Sequence, residues 1–275
     1  MVDQAVTFMR EGRFDEALPL LEAALDRDGA DWNLRYLAGQ CARFLGDLDG
    51  AVRHLTGAVA LRDDEPEIHL ALGIAHQLAE RWDHAVGALL RAIELDRNYH
   101  LAYNSLALTQ RKRGELEKAA HNYDAGAKAL ARGKVESLEN IPSSPLLKHR
   151  DTRGRLWVDH AIHAAFDLAG RAEGVTSVGF PTGEQAAREE HNERHAGLYW
   201  VDRPTDDGRT VRHFLPNYFN TLREQFRQDP AYANLLGNRA RVLELLGRTD
   251  EALIHLAEAM EFGGGAGAAG EAGEP

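Results

Sequence analysis

A 34-residue period constrains this chain more than any other feature. Ala17, Ala51, Ala85 and Ala119 recur at that spacing, as do Leu21, Leu55, Leu89 and Tyr123, and Ala24, Ala58, Ala92 and Gly126. Gly12, Gly46 and Gly114 hold a second phase, with Glu80 in the place of one glycine. Phe14, Leu48, Trp82 and Leu116 follow that phase by two residues, and Gly39, Gly73 and Ala107 form another register upstream. Residues 17, 21 and 24 step by four and three, which places them on one helical face. The glycine marks where a helix ends and the chain turns. Each period therefore predicts two helices joined by a tight turn. Such a pair cannot bury both of its faces alone, so the units must stack on one another.

With this period and its order of small residue, glycine, aromatic, alanine, large residue and alanine, the chain resembles the tetratricopeptide repeat family. The fold the resemblance implies is all-α, a tetratricopeptide-like α-solenoid of helix-turn-helix repeats. Residues 1–133 hold a first unit with a shortened first helix and complete units at about 32–65, 66–99 and 100–133. Residues 229–262 resume the pattern. Ala240, Gly247, Thr249, Ala252, Leu256 and Ala259 reproduce the spacing of Gly39, Gly46, Leu48, Ala51, Leu55 and Ala58. The Gly/Ala-rich tail 263–275 is expected to be disordered, because it carries too little apolar surface to order itself.

Residues 134–228 interrupt the array. Prolines, serines and charges in 139–154 predict a loop. Trp157, Ala161, Ala164, Ala165 and Leu168 give 155–171 a helical period, and 184–196 reads as a polar helix. Two β-prone runs around Asp207-Gly208 predict a short hairpin. The expectation is a degenerate repeat opened by an insertion, in which a helix at 155–171 or 184–196 pairs with one at 217–228 and the hairpin projects outward. The other arrangement is a small independent domain splitting the array.

In this family the first helix of each unit lines a concave, ligand-binding face. The candidate partner-binding residues are Asn33, Tyr36, Gln40 and Arg43 in the second unit, then Gln77 and Arg81, then Asn104, Leu108 and Arg111, with Asn234 and Arg241 in the C-terminal unit. Asn and Gln can pair with the backbone of an extended peptide, and Arg can grip its carboxylates. The bland alternative is a solvated polar face. Some family members hold chaperone C-termini in a Lys/Asn/Arg clamp. The matching stripes here read Val2, Val6, Tyr36, Leu37, Gln40, Glu67, Ala71 and Ile74, so no heat-shock co-chaperone is expected. The implied function is a non-enzymatic adaptor or scaffold for a protein or peptide ligand. Tyr199, Trp200 and Phe214 offer a second contact in the insertion, since exposed aromatics make good anchors.

Two other classes stay open. His191 and His195 stand at i,i+4 beside glutamates, a spacing that can hold a metal, although EEHNERH is not the metalloprotease order. His149-Arg150-Asp151 has the order of a facial-triad iron site, but that chemistry needs a many-stranded barrel. It also matches a kinase catalytic loop, with no glycine-rich phosphate loop before it. The basic run 148–155 has the charge to grip phosphate or an acidic partner, but it reads first as a solvated linker. The third class is a self-assembling scaffold, since terminal repeats leave packing faces.

Composition narrows the partners. The 275 residues hold 32 Lys and Arg against 43 Asp and Glu, a formal charge of −11. That balance disfavours nucleic acid and anionic membrane surfaces. No apolar run of about 18 residues predicts a membrane span, and the N-terminus has no signal-peptide pattern. Cys41 stands alone, which fits a reducing compartment and a cytoplasmic protein. No cofactor is expected.

Overall fold

The computed structural model describes residues 1–27, 29–136, 177–179, 199–204, 210–215, 226 and 229–263. Its contacts divide the chain into two compact units, Met1–Asn122 and Tyr123–Pro275.

The first unit is built from helix pairs: α1 (Val2–Arg10) with α2 (Phe14–Leu25), α3 (Trp32–Phe44) with α4 (Leu48–Leu61), and α5 (Pro66–Leu78) with α6 (Trp82–Leu95). Then come α7 (His100–Lys112) and α8 (Leu116–Glu136), whose last turns belong to the second unit. Each second helix packs on the next first helix, α2 on α3, α4 on α5 and α6 on α7. First helices also touch one another, α3 with α5 and α5 with α7.

The periodic residues are what the stacking buries. Ala17, Leu21, Ala51, Leu55, Ala85 and Leu89 are fully inaccessible. Each buried leucine contributes about 2 kcal/mol of transfer free energy. Small residues set the helix spacing: a Cβ at Gly39 would lie 2.6 Å from Cγ of Leu55, and one at Gly73 2.6 Å from Cγ of Leu89.

The turns share one geometry. Gly12, Gly46 and Gly114 have φ of 75°, 80° and 77°, and Glu80, the substituted position, has φ 56°. The amide of each donates to the carbonyl three residues back, and the next amide donates five back, as in Arg81 N to His76 O at 2.8 Å. This pattern satisfies carbonyls at the helix end that would otherwise lack donors. Helix starts are fixed by Asp31, whose carboxylate accepts from the amides of Asn33 and Leu34, by Asp47, which accepts from Gly50, and by Pro66 in the first turn of α5.

The second unit contains α9 (Pro230–Leu245) packed on α10 (Thr249–Phe262), with Gly247 at φ 74° between them. Two ion pairs tie the last turns of α8 to α9 and its cap. Asp124 accepts from Arg239 and from Lys128, and Lys134 Nζ lies 2.9 Å from Asp229. Phe226, Tyr232 and Phe262 form an edge-on aromatic cluster, with Lys134 over the Phe226 ring. Within the second unit the ion pairs join α8 to α9 and its cap although 93 residues, 137–229, separate the two helices in sequence.

Within those residues, β1 (Ser177–Gly179), β2 (Tyr199–Pro204) and β3 (Thr210–Leu215) form an antiparallel sheet in the order β1-β2-β3. Tyr199 pairs with Leu215 and Trp200 with Phe214. The helices expected at 155–171 and 184–196 lie outside the described residues, as does the Asp207-Gly208 turn. Of 217–228 only Phe226 is described, in helical conformation and fully buried.

Candidate functional site

Helical geometry aligns four positions on each first helix of the first unit. On α3 they are Asn33, Tyr36, Gln40 and Arg43; on α5 they are Glu67, Leu70, Ile74 and Gln77; on α7 they are Leu101, Asn104, Leu108 and Arg111. Leu70 is buried in the core, and Ile74 packs against the same cluster. Tyr36, Gln40, Arg43, Gln77, Asn104, Leu108 and Arg111 are all half-buried.

The α3 side chains are held by one another. Arg43 Nε donates to Gln40 Oε1 at 3.1 Å, and Gln40 Nε2 donates to the Tyr36 hydroxyl at 3.0 Å. The Arg43 guanidinium lies 4.2 Å from the centroid of the Phe44 ring. Burial pushes its pKa below the ordinary arginine value, partly offset by Tyr36. An arginine stays charged under any physiological condition, so the face keeps a fixed cation with both terminal nitrogens outside these bonds.

Tyr99 is a residue that helical periodicity missed, because it caps α7 from outside the helix. Burial pushes its hydroxyl up to about 12, and the charge of Glu67 and the neighbouring Tyr36 add to the rise. Tyr36 comes from the 32–65 unit, and Glu67 and Tyr99 from the 66–99 unit.

Arg81 is not on this face. It caps α6 after the turn and donates Nη2 to Asp49 Oδ1 at 2.5 Å. Arg113 makes the matching bond to Asp83 at 2.7 Å one repeat later. The left-handed backbone at Glu80 carries the chain off the α5 stripe before Arg81 is reached. Arg81 therefore links α4 to the start of α6, and Arg113, at the end of α7, links that end to α6. Asn234 and Arg241 are exposed on α9, in the second unit. Tyr199, Trp200 and Phe214 lie on the paired strands β2 and β3. His191 and His195 lie outside the described residues. Among the described residues no three or more His, Cys, Asp or Glu side chains gather in a metal-holding group, and no helix is long and apolar enough to cross a membrane.

Cys41 is fully buried, and burial pushes its thiol up to about 11. It is protonated near neutral pH and serves as core packing.

Residues 2–66 match the family model described as tetratricopeptide repeat. No curated protein matches the chain. Among solved structures, MamA AMB-1 is 15% identical with a TM-score of 0.50, covering 96% of this chain and 98% of its own. A second MamA crystal structure is 22% identical, with a TM-score of 0.44 over 61% of this chain and 95% of its own. YrrB, described as a TPR protein with an unusual peptide-binding site, is 18% identical, with a TM-score of 0.42 over 62% of this chain and 84% of its own. The likeness to MamA AMB-1 shows a common fold.

Proposed function

From a chain whose N-terminal units are tetratricopeptide repeats, we propose a non-enzymatic adaptor that binds a protein or peptide segment across α3, α5 and α7. The observation that carries this reading is the hydrogen-bonded run from Arg43 through Gln40 to Tyr36. It fixes polar side chains at half-buried positions, and Gln77, Asn104 and Arg111 hold the same positions on neighbouring helices. Polar groups pre-set in this way lose little side-chain entropy on binding. Ile74 and Leu108 supply apolar area between them.

The test is affinity capture from lysate, comparing the natural chain with a Tyr36→Ala, Asn104→Ala, Arg111→Ala variant of unchanged helicity. A partner lost only with the variant supports the reading. A partner kept by both moves the site to the 134–228 segment, where Tyr199, Trp200 and Phe214 are the contacts to substitute. No partner with either speaks against the adaptor.

Self-association is favoured by a separate observation on α10. Leu253, Ile254 and Met260 are each at least half exposed, and Ala257 lies on the same face. The repeat alignment equates Leu253 with Val52, which packs against a core cluster that includes Ala71 and Ala75 of the following repeat. Leu253 itself is 56% exposed among the described residues. The outer residues of α1, namely Asp3, Gln4, Thr7 and Arg10, are polar and exposed, so α10 matches another α10 better than it matches α1. Sedimentation over a concentration series would show dimers that Leu253→Glu with Met260→Glu removes. A concentration-independent monomer would end this second reading.

A further inference from the structure

Arg43 and Arg111 are 68 residues apart, two full periods, so they hold the same position on α3 and α7; Gln77 holds it on α5 between them. The row runs arginine, glutamine, arginine along one margin of the face. Neither arginine has a carboxylate partner among the described residues. The contrast with the nearby turn edge is direct. There the acids Asp49 and Asp83 are already taken by Arg81 and Arg113. Glu67, the acid on the α5 stripe, stands ten residues from Gln77, about 15 Å along the helix. That exceeds the screening length of about 8 Å at physiological salt.

Packed helices lie about 8–10 Å apart, so two steps from α3 through α5 to α7 separate the arginines by about 18 Å. An extended chain covers that distance in about six residues. An α-helix would need about twelve. The half-buried stripe between them, Tyr36, Ile74 and Leu108, asks for apolar side chains in the middle of the ligand.

Resting on the groove-binding reading above, we propose that the ligand is an extended acidic peptide segment. Two of its carboxylates, about six residues apart, meet Arg43 and Arg111, and its backbone meets the Gln77 amide. Guanidinium binds carboxylate through paired, charge-assisted hydrogen bonds, which fix both affinity and register. The net charge of −11 repels acidic segments at long range. The binding is thereby confined to ligands that reach this margin.

The experiment selects a displayed random dodecapeptide library on the full chain, in parallel with Arg43→Gln/Arg111→Gln, each checked for unchanged helicity and melting. Expected peptides carry two Asp or Glu residues about six apart around apolar residues. Synthetic copies bind about tenfold more weakly for each arginine removed. Because Arg43 is bonded to Gln40 and lies against the Phe44 ring, so that its loss risks the fold, Arg111→Glu serves as the second variant. It should lose the selected peptide and regain binding when the corresponding Glu of the peptide is changed to Lys. Peptides without acidic spacing, or acidic peptides indifferent to both variants, would overturn the inference. If those same peptides are lost on Tyr36→Ala, the groove-binding reading survives alone. A selection that enriches nothing overturns the inference, and the lysate capture then decides the broader reading.

Discussion

Glu80 holds at φ 56° the turn position that Gly46 holds at φ 80° one repeat earlier. The hydrogen bonds around the two residues are the same, so the turn geometry is imposed by the repeat and tolerated by the glutamate. A side chain in this region costs about 1–2 kcal/mol relative to glycine. Glu80→Gly should therefore stabilise the first unit by about 1 kcal/mol, after part of the gain is lost to the freer unfolded chain. Chemical denaturation compares the two; an unchanged or lower midpoint would count against stored strain here.

Glycines inside the helices answer differently. Gly39→Ala or Gly73→Ala drives a methyl into Leu55 or Leu89 and should cost about 1–3 kcal/mol. Gly87, within α6, has open space where its Cβ would stand, and Gly87→Ala should instead stabilise by about 0.5–1 kcal/mol. Melting curves of the three variants should split in sign.

Acid should loosen the first unit before its carboxylates titrate. Burial lowers the pKa of His54 and of His76, helped at His76 by the tilted His84 ring 5.1 Å away and by Arg81. The folded chain keeps these imidazoles neutral, while the unfolded chain takes up protons below the ordinary value of 6.5. Their contribution is fully present above that value and is lost as pH falls through it toward the folded-state values. Stability should drop as pH falls below about 6.5, and His76→Leu should flatten that slope. A slope unaffected by the substitution would remove His76 as its source.

The tie between α8 and α9 is also open to test. Arg239→Gln removes one cationic partner of the largely buried Asp124 and should destabilise the second unit by about 3 kcal/mol. Replacing residues 138–225 with a short Gly/Ser linker should leave the helices on both sides folded. Far-UV circular dichroism and thermal melting read both outcomes; loss of helix beyond that of the excised residues would contradict direct stacking of α9 on α8.

What the sequence made legible was whatever repeats. Ala17, Leu21, Gly39 and Gly46 recur with the period, and packing uses each as the spacing implies. Local geometry at the turns was harder to read. Arg81 continues the α5 spacing on paper, yet the left-handed residue before it sends its side chain to Asp49. Tyr99 escaped because it precedes its helix, so no helical stripe contains it. The Asp124–Arg239 pair joins residues 115 apart, a separation that no periodicity encodes. Its only trace was the matched spacing of 229–262.

The contact of α9 with α8 also sets what an interruption at this point costs. Consecutive repeats elsewhere are joined by short connections, such as residues 62–65 between α4 and α5. Regarded only as a tether, the stretch 137–229 raises the closure entropy logarithmically, by about 3 kcal/mol over such a connection. Doubling it again would add only about 0.6 kcal/mol. On this scale the α8–α9 contact within the second unit is nearly indifferent to the length of the chain that joins its two sides.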